Sequence, residues 1–160
     1  MSDVIPATDE NMTFFEGLRR IETLLSDLYR GFSERFPGDA EIWAALAEEE
    51  LAHHRMLGKA ENLFSMDAAP RLRDANLAAL KHTLRGLVEL VGCAGQGTTI
   101  SRADALRLAI SLEKSAAETH YHFVFNNLIP SSQSDLLSRL QAMDKNHSDR
   151  IQKYLDGMYG

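Results

Sequence analysis

The chain has 160 residues, a formal net charge of −6 and 44% hydrophobic residues. That describes one globular domain, spanning 1–160, with enough length to bury a core. Its acidic balance excludes a general affinity for nucleic acid or anionic membrane. The only cysteine, Cys93, excludes an internal disulfide and a Cys-x-x-Cys metal ribbon. No apolar run approaches the ~18 residues that read as a membrane span. Met1 to Pro6 lacks the basic-then-apolar pattern of a secretory signal, so the expected setting is cytoplasmic.

Taken in order, the chain predicts five helices and no strand. The first covers about 13–36, where Phe14, Leu18, Ile21, Leu25, Leu28 and Phe32 recur at the helical period. Pro37-Gly38 ends it, and Asp39 is placed to cap a second helix over about 40–64. A loop around Asp67 to Pro70 follows. A third helix over about 72–92 carries Leu77, Leu80, Leu84, Leu87 and Val91 on one side, and Gly92, Gly95 and Gly97 then break the chain. Ser101-Arg102-Ala103-Asp104 has the form of a capping box, with Asp in place of Glu, and opens a helix to about 127. After Pro130, Ser132 is placed to cap a last helix over about 132–156. Two long hairpins joined by a connecting helix make an all-α bundle with a helical crossover.

An amphipathic helix keeps carboxylates off its apolar stripe, and several here do not. Glu22 shares a face with Leu18, Leu25 and Tyr29. Glu50 lies among Leu46, Ala47 and Leu57, with His53 three residues on. Glu113 sits among Ala109, Ile110, Ala116 and Ala117. Asp144 follows Leu137 and Leu140, precedes Ile151, and has His147 three residues on. Buried ionised carboxylates cost several kcal/mol each unless compensated. Arg and Lys are scarce on these stripes, which leaves protons or metal cations. Two divalent cations match four carboxylates in formal charge, and the imidazoles add nitrogen donors. This oxygen and nitrogen set suits iron or manganese.

Glu50-Leu51-Ala52-His53 and Asp144-Lys145-Asn146-His147 are two acid-x-x-His motifs on predicted helices. Glu22 and Glu113 are 91 positions apart, while Glu50 and Asp144, like His53 and His147, are 94 apart. The 91-residue shift also maps Tyr29 onto His120. The paired motifs, each preceded by a stripe carboxylate about 30 residues earlier, are far more specific than one alone.

On these residues, from about Met12 to Leu155, the sequence resembles the ferritin-like superfamily, most of all its rubrerythrin branch. The resemblance implies a four-helix bundle holding two iron ions, with manganese or zinc as other occupants. It implies that Glu22 and Glu113 are terminal ligands, Glu50 and Asp144 bridge, and His53 and His147 donate nitrogen. It further implies reduction of hydrogen peroxide or dioxygen. Three departures stand out. Asp144 replaces the usual glutamate with a shorter arm. Ala116 occupies the place of a further carboxylate. The four-cysteine rubredoxin-like domain common in rubrerythrins has no counterpart in a chain with one cysteine, so electrons must come from an external donor. A homodimer is the expected assembly.

Other readings stand beside this one. The protein handles iron for storage or delivery without a catalytic cycle, or it is a metal-free helical interaction module whose polar core is satisfied internally. Glu48 and Glu49 are expected to face solvent. His54 is expected at the surface or outside the ligands, and becomes a ligand if the helix is rotated. His120 is an outer partner or an extra ligand. Tyr29 and Tyr121 are placed to hydrogen-bond a ligand carboxylate. His82 and His122 are expected to be structural or exposed.

Overall fold

The computed structural model describes residues 14–62, 77–95, 100–125 and 131–159, all helical apart from short connections at Phe36 and residues 100–101. Among the described residues the helices are α1 (Phe14–Arg35), α2 (Ala40–Asn62), α3 (Leu77–Gly95), α4 (Arg102–Phe125) and α5 (Ser131–Tyr159), with a 3-10 turn at Pro37–Asp39. No strand occurs among the described residues, so the all-α expectation holds for them. The predicted loop at Asp67 to Pro70 and the outermost predicted helix ends lie outside the described residues.

The apolar period determines the packing. In α1, Leu18, Ile21, Leu25, Leu28 and Phe32 are all buried, and α2 contributes Trp43, Leu46, Ala47 and Leu57. Helices α1 and α2 pack along one another, as do α4 and α5, while α3 lies against α1 and α2 touches α5. The buried stripe of α4 is built from Ala105, Leu106, Ala109, Ile110 and Ala116, and that of α5 from Leu140, Ile151 and Leu155. Small side chains on α4 let its neighbours approach closely.

Trp43 anchors the core, with its ring centroid 4.9 Å from Phe32 and 5.6 Å from Tyr29. It is completely buried. Trp43→Ala is expected to cost about 3–5 kcal/mol through lost burial and a residual cavity. Chemical denaturation followed by circular dichroism checks this, and an unchanged midpoint would place Trp43 outside the cooperative core.

Polar contacts align the hairpins. Ser26 Oγ donates to the Ala47 carbonyl at 2.9 Å, joining α1 to α2. At the end of the first hairpin, Asp39 does not cap α2 as expected. Its carboxylate instead accepts both nitrogens of the Arg102 fork and the Tyr154 hydroxyl. The Arg102 guanidinium bonded to it holds the Asp39 carboxyl below the ordinary carboxylate range. This contact places the start of α4 at the end of the molecule where α2 begins. The chain therefore returns along the molecule between α2 and α4.

Several boundaries differ from the sequence reading. Helix α3 continues through Gly92 to Gly95. Gly92 is exposed with open space around it, and a helical glycine costs only about 1 kcal/mol relative to alanine. Helix α5 starts at Ser131, which puts Ser132 inside the helix, and it runs on to Tyr159. At the start of α4, Ser101 Oγ accepts the Asp104 amide at 3.1 Å as a capping box predicts. The Asp104 carboxylate turns outward to Arg107 instead of closing the box.

Candidate metal centre

Four helices each interrupt their apolar stripe at one level of the bundle. Helix α1 supplies Glu22, α2 supplies Glu50 and His53, α4 supplies Glu113, and α5 supplies Asp144 and His147. All six are buried, none more than 1% exposed. The three-residue spacing within each acid-x-x-His motif puts the acid and imidazole on one face of a helix. One donor atom from each of Glu50, His53, Asp144 and His147 lies within 4.8 Å of the others, the group among the described residues best arranged to hold a metal ion.

The cluster has two halves. His53 Nδ1 lies 3.2 Å from Glu50 Oε2, 3.5 Å from Asp144 Oδ1 and 3.6 Å from Glu22 Oε2. His147 Nδ1 lies 2.8 Å from Glu50 Oε1 and 3.4 Å from Glu113 Oε2. The two oxygens of Glu50 thus face different histidines. Asp144, despite its shorter arm, reaches the histidine of the other motif. The imidazole rings stack with centroids 5.1 Å apart and planes 11° from parallel.

Charge is strongly coupled here. Burial raises Glu50 above its ordinary range against the pull of both histidines. Burial first, and the Glu50 charge second, push Glu113 up to about 7. Burial alone would lower the histidines, but the carboxylates outweigh it. Glu22 and Glu50 bring His53 up to about 10, and Glu113 and Glu50 bring His147 up to about 11. Without a metal, protons supply the positive charge that the carboxylates require.

The donors also fit a cation. Among the described residues, Glu50 Oε1, Glu113 Oε2 and His147 Nδ1 are buried without a well-formed hydrogen bond, although they converge on one another. Buried polar atoms are normally satisfied, so lone pairs gathered in this way mark a place for an ion. Carboxylate oxygens with imidazole nitrogens and no thiolate suit iron, manganese or zinc.

Around this cluster, Tyr29 donates its hydroxyl to Glu113 Oε1. Burial and the charges of Glu113 and Glu50 hold the phenol well above its ordinary pKa, so it remains a donor. His54 turns toward α1. Its Nδ1 lies 3.2 Å from the Arg19 carbonyl and 3.3 Å from Thr23 Oγ1, which ties α2 to α1. Glu48 is exposed, as expected, and lies beside Arg30, and His82 is also exposed. The side chains of His120, Tyr121 and His122 lie outside the described residues.

The sequence reading missed Glu49. Its Oε2 lies 2.6 Å from His147 Nε2, and Arg150 grips both its oxygens at 3.0 and 2.8 Å. Partial burial works to raise Glu49, but Arg150 and His147 outweigh it and hold it below the ordinary range. The signal available in the sequence was Arg150 itself, a base three residues after His147 on the same helix face.

No helix among the described residues is long and apolar enough to cross a membrane. Comparison with protein-family models, with curated proteins and with solved structures gives no match to this chain.

Proposed function

We propose that this chain is a ferritin-like, rubrerythrin-like di-iron carboxylate protein that reduces hydrogen peroxide or dioxygen with electrons from a separate donor. The observation that carries this reading is the buried Glu50, His53, Asp144 and His147 group, flanked by Glu22 and Glu113. In this reading Glu22 and Glu113 are terminal ligands, and His53 and His147 donate through Nδ1. Glu50 and Asp144 would bridge; the two-sided contacts of Glu50 support that role for Glu50.

When bound, a reduced iron pair supplies the two electrons that, with two protons, convert hydrogen peroxide to two waters. The chain's own residues set the conditions for that step. Four carboxylates offset the charge of two divalent ions. Tyr29 donates to Glu113 and so restrains its rotation, keeping one oxygen directed at His147. Leu25, Leu46 and Ala109 belong to the apolar shell that excludes bulk water. In this proposal a separate donor, a protein or a small reductant, supplies the electrons. A cytoplasmic homodimer completes the proposal.

The test is to load the protein anaerobically with two ferrous ions per chain and mix it with peroxide in a stopped-flow spectrometer. Oxidation with one peroxide consumed per iron pair, faster than for free ferrous ion in the same buffer, supports peroxide reduction. Slow oxidation with onward release or accumulation of ferric iron favours iron handling instead. Two bound zinc ions that ferrous iron does not displace would overturn the redox assignment.

A further inference from the structure

In each half a histidine faces Glu50 and one further glutamate, Glu22 or Glu113, with Asp144 added on the His53 side, but the two histidines differ most in what stands behind them. His147 is held from outside, because its Nε2 faces Glu49 at 2.6 Å and Glu49 is clamped by Arg150. An imidazole whose Nε2–H is committed to a carboxylate keeps Nδ1 free of the proton and more basic toward a metal. The Nε2 of His53 is buried without a hydrogen-bond partner among the described residues.

The sequence shows why. The 94-residue shift that maps Glu50 onto Asp144 and His53 onto His147 maps Glu49 onto Met143. The same shift relates Arg150 to Met56. The acid–base pair behind one histidine thus has two thioethers as its counterpart in the other repeat. Met56 is partly buried and packs on the core, and Met143 is also partly buried. Neither offers the strong acceptor that Nε2–H requires.

We infer that Glu49, braced by Arg150, is a positioning residue that makes the His147 side of the cluster the tighter metal position, so that the two ions load in sequence. This rests on the dimetal reading above. The outer pair also links the site to the surface, since Arg150 lines an open groove of about 680 Å³ together with Arg102 and Lys153. The tighter position is therefore the one whose outer partner meets solvent.

Cobalt(II) titration of the metal-free protein, followed by calorimetry and visible absorption, tests the inference. Two resolved steps are expected, one ion each. Glu49→Gln should weaken the tighter step on the order of 10–100-fold and leave the weaker step close to its wild-type value. Arg150→Gln, at a side chain 40% exposed and so tolerant of change, should weaken the same step by less. His147→Gln should remove the tighter step, and His53→Gln the weaker one. Grafting the outer pair onto the other side, with Met143→Glu and Met56→Arg together, should tighten the weaker step. Two equal steps in the wild type, or equal weakening of both by Glu49→Gln, would overturn the inference while leaving the dimetal centre standing. Fewer than two cobalt ions per wild-type chain would instead overturn the dimetal reading on which it rests.

Discussion

Replacing Glu50 and His53 together by glutamine should reduce bound metal from two ions per chain to one or none, with the helical content unchanged. Glu50 is the carboxylate whose two oxygens face His53 and His147 separately, so its loss reaches both halves of the cluster. His53 lies within 3.6 Å of carboxylates from α1, α2 and α5, and its loss removes the nitrogen donor of one half. Glutamine is chosen because it roughly preserves volume and hydrogen bonding but carries no anionic oxygen and no imidazole. The core therefore avoids the cavity that alanine would leave. Metal analysis after loading and desalting, with circular dichroism as the folding control, reads the result. Retention of two tightly bound ions would remove both residues from the ligand set.

The second large effect is on pH dependence. The metal-free protein should lose stability steadily as pH rises from about 5 to 9. Glu113 moves from an ordinary 4.5 up to about 7, so the folded chain keeps a proton that the unfolded chain has released. Glu50 is raised in the same direction. His53 and His147 move from 6.5 to about 10 and about 11. Their stabilisation is fully present below 6.5 and is lost as pH rises through those higher values. In every case the folded state binds more protons, and the slope of stability with pH is negative. Asp39 and Glu49 have the opposite sign, but their contribution is lost only as pH falls through the low carboxylate range. Stability of the metal-free form should therefore peak near pH 5, on the order of the window between these two sets.

Metal binding reverses the trend. A cation must displace the protons held by the imidazoles and carboxylates, so affinity increases as pH rises. The gap in melting temperature between loaded and metal-free protein should widen from about pH 5 to pH 8. Thermal melts across pH, with and without metal, measure both trends. The double glutamine variant should show a shallower slope. A melting temperature for the metal-free protein that stays level or rises over this range would mean that protons do not compensate the cluster.

The six buried donors were legible because burial leaves a periodic trace. A carboxylate three or four residues from leucines on both sides occupies the buried face whatever that face packs against. The same rule located the cores of α1, α2, α4 and α5 and the two acid-x-x-His motifs with their 94-residue relation. It failed where a side chain acts across helices from the edge of a stripe. Glu49 lies one residue from Glu50, turned about 100° around the helix, where period alone reads as solvent. Only the position of α5 brings Arg150 and His147 to it. Asp39 was misread for the same reason, since a capping residue and a cross-bundle anchor look alike until the N-terminus of α4 is placed beside it.

By itself, then, the sequence determined the apolar stripes and the six carboxylate and imidazole groups buried on them, because amphipathic period and the cost of burying charge are local properties. Tertiary structure decided who compensates whom. It set Tyr29 against Glu113, turned His54 toward the backbone of α1, and showed that the shorter arm of Asp144 still reaches His53. It also gave one histidine an outer carboxylate, while the Nε2 of the other has no hydrogen-bond partner among the described residues. Those outcomes depend on interhelical distance and rotation, which arise from the packing of all the stripes together.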